Sequence, residues 1–264
     1  KNYDLNLLDP HYEYDLSFST ANFAPFIENT FKTGNLSVTP GLRFEYIQSK
    51  VKGYNPSHDD SEIVQSDYSK NRHFLLGGLA MQYNLNTNNN LYGNITQAYR
   101  PIDYSSLTPL GSIARINPEL KDSKGYNVDA GIRGIIKNCF NYDISLFLLR
   151  YNNRIGIIEK TDANGQTYPY RTNIANSVHK GVESYLELNL VKLLSPLEPH
   201  YGLSIFNSMA LINAKYIDGE FKGKSVEYAP KLINRMGLTG SMNKLSATYL
   251  VSYTSKSFGD AQNN

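Results

Sequence analysis

The chain has 264 residues, with 26 basic and 24 acidic side chains, a formal net charge of +2, and 41% hydrophobic residues. That balance excludes a disordered polyelectrolyte and a basic nucleic-acid-binding surface, so no nucleic acid is expected as a partner. A single cysteine, Cys139, excludes an internal disulfide and any cysteine-based zinc site, while 21 Tyr and 11 Phe with no Trp suit β structure and apolar–aqueous boundaries.

The opening stretch, "KNYDLNLLDP", lacks the basic-then-apolar design of a signal peptide. No window of about 18 uninterrupted apolar residues exists, so no transmembrane helix is expected. A first strand is expected over 19–31. A second, over 36–52, contains "LSVTPGLRFEY", in which Leu36, Val38, Pro40, Leu42, Phe44 and Tyr46 alternate with polar or small residues. Pro40 sits awkwardly there, because proline forfeits a ladder hydrogen bond in a central strand.

Further alternating runs follow at 72–85, 91–100, 124–136, 141–158, 168–191, 201–217, 229–241 and 245–256. Val128, Ala130 and Ile132 oppose Asp129, Gly131 and Arg133. Ile144, Leu146 and Leu148 oppose Asp143 and Ser145. Val182, Leu186 and Leu188 oppose Glu183, Glu187 and Asn189. Helical periodicity is nowhere sustained.

The connections alternate in length. Short turns fall at "KTGN" (32–35), "NTNNN" (86–90), "KNCF" (137–140) and "MNK" (242–244). Residues 53–71, 101–123 and 218–228 read as long polar loops, 159–167 as intermediate, and "LLSPLEPHY" (193–201) falls where a short turn is due. Sorting short and long loops to opposite ends fits an outer-membrane barrel. Its strands need about 9–11 tilted residues to cross the bilayer, and its sheet closes so that every backbone group is paired. A soluble β-sandwich or a propeller is the competing architecture.

The chain also resembles a known family. "SVTPGLRFEYIQSKVKGY" resembles the "PGLRYE" strand of TonB-dependent outer-membrane receptors. "NNLYGNITQAYRPIDYSSL" resembles their strand and following loop with an "R-P-P" turn, and "NPELKDSKGYNVDAGIRG" their "P-E-x-x-x-x-Y/W-E-x-G-x-R-G" stretch. "YDISLFLLRYNNRIG", "YRTNIANSVHKGVESYLEL", "YAPKLINRMGL" and "SFGDAQNN" continue in the family's order, and the ferric citrate receptors are the branch most similar to it.

That resemblance implies an all-β fold: an antiparallel up-and-down meander of about ten long strands, part of a 22-stranded transmembrane β-barrel. Residues 1–264 would be a barrel segment from the C-terminal side, with the plug domain and last strands absent. It implies an outer-membrane location in a Gram-negative bacterium and active import of a ferric chelate, ferric citrate or a siderophore, with energy supplied by TonB through the missing plug. Outer-membrane lipid and lipopolysaccharide would be the surroundings. No cofactor is expected, since iron travels as cargo. Cobalamin, an oligosaccharide or a catecholate are alternative cargoes, and a passive porin-like or adhesin barrel or a soluble carbohydrate-binding domain are alternative classes.

The residues carry no enzyme motif: no His-Glu-x-x-His, Walker loop, Gly-x-Ser-x-Gly or Gly-x-Gly-x-x-Gly occurs. The five histidines (11, 58, 73, 179, 200) are scattered singly. "TDANGQT" (161–167) has a faint calcium-loop spacing but lacks the distal Glu, so a hairpin turn is expected. "HDDSE" (58–62) is an acidic cluster, read as a solubilising loop tip or a surface cation site.

Arg43, Arg133 and Arg235 share the polar parity with Glu45, Asp129, Asp143, Glu183 and Glu187, and read as a charged inner wall that grips a plug. Arg100 turns inward at the far end of its strand, Arg115 lies in the loop that follows, and Arg171 and His179 share inner parity near the top. Arginine's planar fork matches carboxylates in pairs. One or more of Arg100, Arg115 and Arg171 is therefore expected to touch a carboxylate-rich ligand; pairing with loop acids is the competing role. Tyr99, Tyr168 and Tyr170 are expected in the outer aromatic girdle or rim.

Overall fold

The computed structural model describes residues 15–56, 63–107, 114–196 and 200–263. In chain order the elements are β1 (Asp15–Phe23), β2 (Phe26–Glu28), β3 (Phe31–Thr33), β4 (Leu36–Pro56), β5 (Ile63–Asn84), β6 (Asn89–Arg100), α1 (Tyr104–Leu107), β7 (Arg115–Ile116), β8 (Ser123–Ile136), β9 (Phe140–Thr161), β10 (Thr167–Asn189), α2 (Leu190–Leu194), β11 (Tyr201–Tyr216), β12 (Leu232–Met242) and β13 (Leu245–Thr254). The long strands form one sheet in the order β1-β4-β5-β6-β8-β9-β10-β11-β12-β13, an antiparallel meander once the short pieces are set aside.

Several expectations are corrected. The run expected over 19–31 is three pieces, broken at Ala24-Pro25 and at Asn29-Thr30. Pro25 has no N–H to donate, and the three pieces still share one register along β4. The loop expected over 53–71 is mostly strand, because β4 runs on to Pro56 and β5 begins at Ile63. The acidic cluster at 58–62 lies outside the described residues. The intermediate connection at 159–167 is a tight turn: Asp162 Oδ1 accepts from the N–H groups of Asn164 (2.9 Å) and Gln166 (3.0 Å). Gly165 supplies the left-handed residue at φ +83°. The loop over 101–123 contains α1 and β7, and "LLSPLEPHY" opens on α2, capped by Asn189 Oδ1 accepting from Lys192 N–H at 2.8 Å.

Pro40 now has a physical account. In an antiparallel ladder a residue's N–H and C=O point toward the same neighbouring strand. The Pro40 carbonyl accepts from Asn29 N–H at 3.3 Å, so its missing donor faces Asn29, in the gap between β2 and β3. The gap carries a side-chain bond instead, Thr30 Oγ1 to Thr39 Oγ1 at 2.9 Å.

Register fixes the two faces. Leu91 pairs with Ile132, Ile132 with Ile144, and the outward row extends through Leu146, Val182, Leu211, Met236 and Val251. These side chains lie open: Leu146 is 61% exposed and Leu75, on the same face, 59%. Among the described residues no second sheet or helix layer covers them, as hydrocarbon-facing rows require. No helix is long and apolar enough to cross a membrane. The small core lies at the loop end, where Ala214, Tyr216, Phe221, Val226 and Ala261 pack together.

The opposite face carries the charged wall. Arg43, Arg133 and Arg235 share this face with Glu45, Asp129, Asp143, Glu183 and Glu187 by register. Arg43 Nε meets Glu45 at 2.5 Å, Tyr92 donates to Asp143 at 2.6 Å, and Arg133 donates to Asn90 and Gln82.

Candidate functional site

The site begins where the sheet parts. β5 pairs with β6 only from Gly78 to Asn84, although β5 extends back to Ile63. Residues 101–107 and 114–122 enter this wedge on the inner face and lace two sides of the sheet together.

On the β5 side the anchor is Asp122. Its carboxylate accepts from Arg72 Nε at 2.8 Å and from Ile102 N–H at 2.9 Å, and Arg72 also donates to Ser49 at 3.1 Å. The Arg72 side chain is 4% exposed and that of Asp122 15%. Burial alone would raise the Asp122 pKa, but the bonds from Ile102, Arg72 and Tyr99, with the Arg72 charge, hold it below the usual carboxylate value. On β1, Phe18 packs its ring 4.6 Å from that of Tyr104, whose hydroxyl bonds Thr20.

On the β10 side asparagines do the lacing. Asn117 donates its backbone N–H to Arg171 O at 2.9 Å and its side chain to Thr172 at 2.9 Å. Asn173 accepts from Lys121 N–H at 2.8 Å and donates back to Lys121 O at 2.9 Å.

Between this loop and the inner wall lies a cavity of about 270 Å³, lined by Arg100, Asp103, Ser106, Tyr151, Arg154 and Arg171 among others. Three guanidinium groups share it with one carboxylate. Arg100 Nη2 holds Asp103 at 3.0 Å. Arg171 lies nine residues up β10 from Lys180, roughly 30 Å beyond the row of Leu148 and well clear of the apolar band. Burial lowers its pKa, and the Asp103 charge opposes that. A desolvated cation of this kind favours an anion beside it.

Of the three arginines singled out from sequence, the structure brings Arg100 and Arg171 to the cavity and sends Arg115 elsewhere. β7 does align Arg115 with Tyr170, in a parallel pairing. Its guanidinium, however, lies over the Tyr168 ring at 4.1 Å and reaches Asp162 at 3.8 Å, on the β9–β10 hairpin tip. Tyr170 is covered by Lys160 Nζ at 3.9 Å. Tyr168 and Tyr170 are thus rim residues, far above any membrane girdle. Tyr99 turns inward, with its ring 3.8 Å from that of Phe74. His179 faces the interior, 3.2 Å from Ser177 Oγ.

Arg154 and Asp103 are the residues that reading from sequence missed. Strict alternation from Ile144 sends residue 154 outward. Asn153, at φ +55°, sits in a register irregularity between β9 and β10 that turns Arg154 inward. The Asn-Asn pair at 152–153 before Arg154 was the available signal, since asparagine tolerates the left-handed conformation. Arg154 donates to Glu227 at 2.6 Å, and Tyr216 donates to the same carboxylate at 2.5 Å, tying loop 217–228 to the wall. Burial raises the Glu227 pKa, but the bonds from Tyr216 and Arg154 outweigh it and the net shift is downward.

The comparisons with known proteins agree with this architecture. The family model described as "TonB dependent receptor-like, beta-barrel" matches residues 2–264. Among solved structures, the ferric citrate transporter FecA in its unliganded form superposes with a TM-score of 0.69 at 21% identity, over 97% of this chain and 36% of that one. The ferric yersiniabactin uptake receptor FyuA from Yersinia pestis gives 0.70 at 15% identity, over 94% and 36%. The copper transporter OprC gives 0.68 at 18%, over 90% and 35%. The chain therefore spans about a third of the length of these proteins, and at such identities the likeness is one of fold. With a single-layer meander, an open apolar face, a polar inner face and a family match along almost the whole sequence, the chain belongs to the TonB-dependent receptor β-barrel family.

Proposed function

We propose that this chain forms wall, loops and part of the ligand pocket of an active-transport receptor in a Gram-negative outer membrane, importing a ferric chelate rich in carboxylate oxygens, such as ferric citrate. The observation that carries the reading is the convergence of Arg100, Arg154 and Arg171 on one cavity holding a single carboxylate, Asp103. Each guanidinium offers a planar pair of donors that fits a carboxylate. Arg154 is held in place by Glu227, so Arg100 and Arg171 are the groups assigned to ligand, and Arg115 acts on it only through the hairpin tip. TonB, through a plug inside the barrel, supplies the energy for release inward, and the charged inner wall around Arg133, Asp143 and Glu183 holds that plug. The chain does no covalent chemistry in this scheme, and iron is cargo.

The test is equilibrium binding of ferric citrate to the full-length receptor. R100A/R171A is expected to weaken binding at least tenfold, while R115A changes it by less than threefold. Unchanged binding in the double variant overturns the assignment. Tight binding of a catecholate, cobalamin or an oligosaccharide with none of ferric citrate keeps the architecture and replaces the cargo. Uptake that persists without TonB favours a passive barrel.

A further inference from the structure

The guanidiniums of the arginine cavity are held by carboxylates of two different kinds. Arg154 is gripped: its Nε and Nη2 donate to Glu227 at 3.2 and 2.6 Å, and Tyr216 donates to the same carboxylate at 2.5 Å. The Arg154 and Glu227 side chains are 23% and 15% exposed. A forked, mostly buried pair is fixed by geometry as well as by charge. Arg100 and Asp103 instead share one bond of 3.0 Å, between side chains 65% and 40% exposed. A pair so open to water contributes little to stability, and another carboxylate can replace its acid at small cost.

Asp103 also has a structural task, and its charge is not needed for it. Its Oδ1 accepts from Ser106 N–H at 2.8 Å and its carbonyl accepts from the same N–H at 3.1 Å, which caps α1. Capping takes one oxygen, and Asn or Ser supplies it about as well as Asp. Tyr104 anchors α1 further, against Phe18 and Thr20. The remaining oxygen, Oδ2, is the one turned to Arg100. Neither the cap nor the stability of the loop calls for a full negative charge at this point.

The charge does act on the cavity. Arg171 lines it together with Arg100, and the Asp103 charge offsets the effect of burial on Arg171. One acid thus serves two guanidiniums. A ligand with two or more carboxylates can meet Arg171 with one of them, but it reaches the Arg100 fork with another only by replacing Asp103 Oδ2. The displaced Asp103 stays beside the cavity, tethered through its cap, and returns to Arg100 when the ligand leaves. A transport site has to bind firmly enough to load and weakly enough to unload.

We infer that Asp103 is a resident counter-ligand: its carboxylate holds the place of one cargo carboxylate on Arg100, lowers the affinity of the cavity and speeds release. The inference rests on the cargo reading given above and adds the residue that regulates the same site. Its action runs through Arg100, whereas Glu227 keeps Arg154 in place whether or not cargo is bound.

The test is a double-mutant cycle in the binding and release of ferric citrate by the full-length receptor. D103N keeps a capping oxygen and removes the charge. It is expected to tighten binding at least fivefold, mainly through slower release. D103S, which also caps α1 without a charge, is expected to do the same. In the R100A background, D103N is expected to change binding by less than twofold, because the guanidinium it would free is gone. Equal tightening by D103N in both backgrounds marks a general field effect and overturns the inference. So does unchanged or weaker binding in D103N and D103S where R100A alone weakens it. Binding that is absent throughout, or altered by neither R100A nor D103N, overturns the cargo assignment and the inference together.

Discussion

Single residues decide how the long loops are held. Arg72 and Asp122 form an ion pair that is almost sealed from water, and Ile102 N–H is tied to the same carboxylate. Removing one partner of such a pair strands a buried charge, so D122N is expected to cost on the order of 3 kcal/mol in unfolding of the reconstituted receptor. A change under about 1 kcal/mol would show that the pair is solvated. Glu227 gives a pH-dependent case. Its folded pKa lies below the ordinary glutamate value, so its contribution is present above about pH 4.5 and lost as pH falls through the folded value. Hydrogen exchange of residues 217–228 is expected to quicken below that pH in the wild type, and E227Q to remove most of the pH dependence. At this scale the sequence was legible only where alternation held. Arg100 and Arg171 were found from parity, whereas Arg154 was hidden by a bulge and Asp103 by a loop that alternation does not describe.

Among the elements, the strands were readable because period 2 survives wherever one face meets hydrocarbon and the other an aqueous or protein-filled interior. The short turns were readable from Gly and Asn. The upper hairpins were not: β4, β5, β9 and β10 run on past the apolar rows, into stretches where polar residues occur on both faces and the alternation fades. "SDYSKN" at 66–71 reads as loop by composition and is strand by pairing with β4. Pro40 shows the opposite case, a residue that looks wrong for a strand until its neighbour's gap is seen. P40A is therefore expected to change stability little, by less than about 0.5 kcal/mol in urea unfolding. L79P, on the neighbouring β5, removes a donor from the β5–β6 ladder and is expected to cost about 3 kcal/mol or more. Equal effects of the two would refute the gap explanation.

The molecule as a whole is a sheet whose two faces meet different media. The inner face gathers the charges and the arginine cavity. The outer face shows open apolar rows. Sequence gave access to both faces and to the family, but not to the cavity, whose walls come from β6, β9, β10 and a loop that only tertiary structure brings together. The most direct test is a nitroxide scan of residues 141–151 on β9 in the full-length receptor reconstituted in lipid, with Cys139 replaced by Ser. Collision with oxygen and with a water-soluble nickel chelate is then compared at each site. At 144, 146 and 148, oxygen is expected to dominate. At 143, 145 and 147 it falls away, giving a period of two. A profile without that period, or one in which the even positions collide most with the aqueous reagent, would contradict the membrane-spanning barrel and the import role built on it.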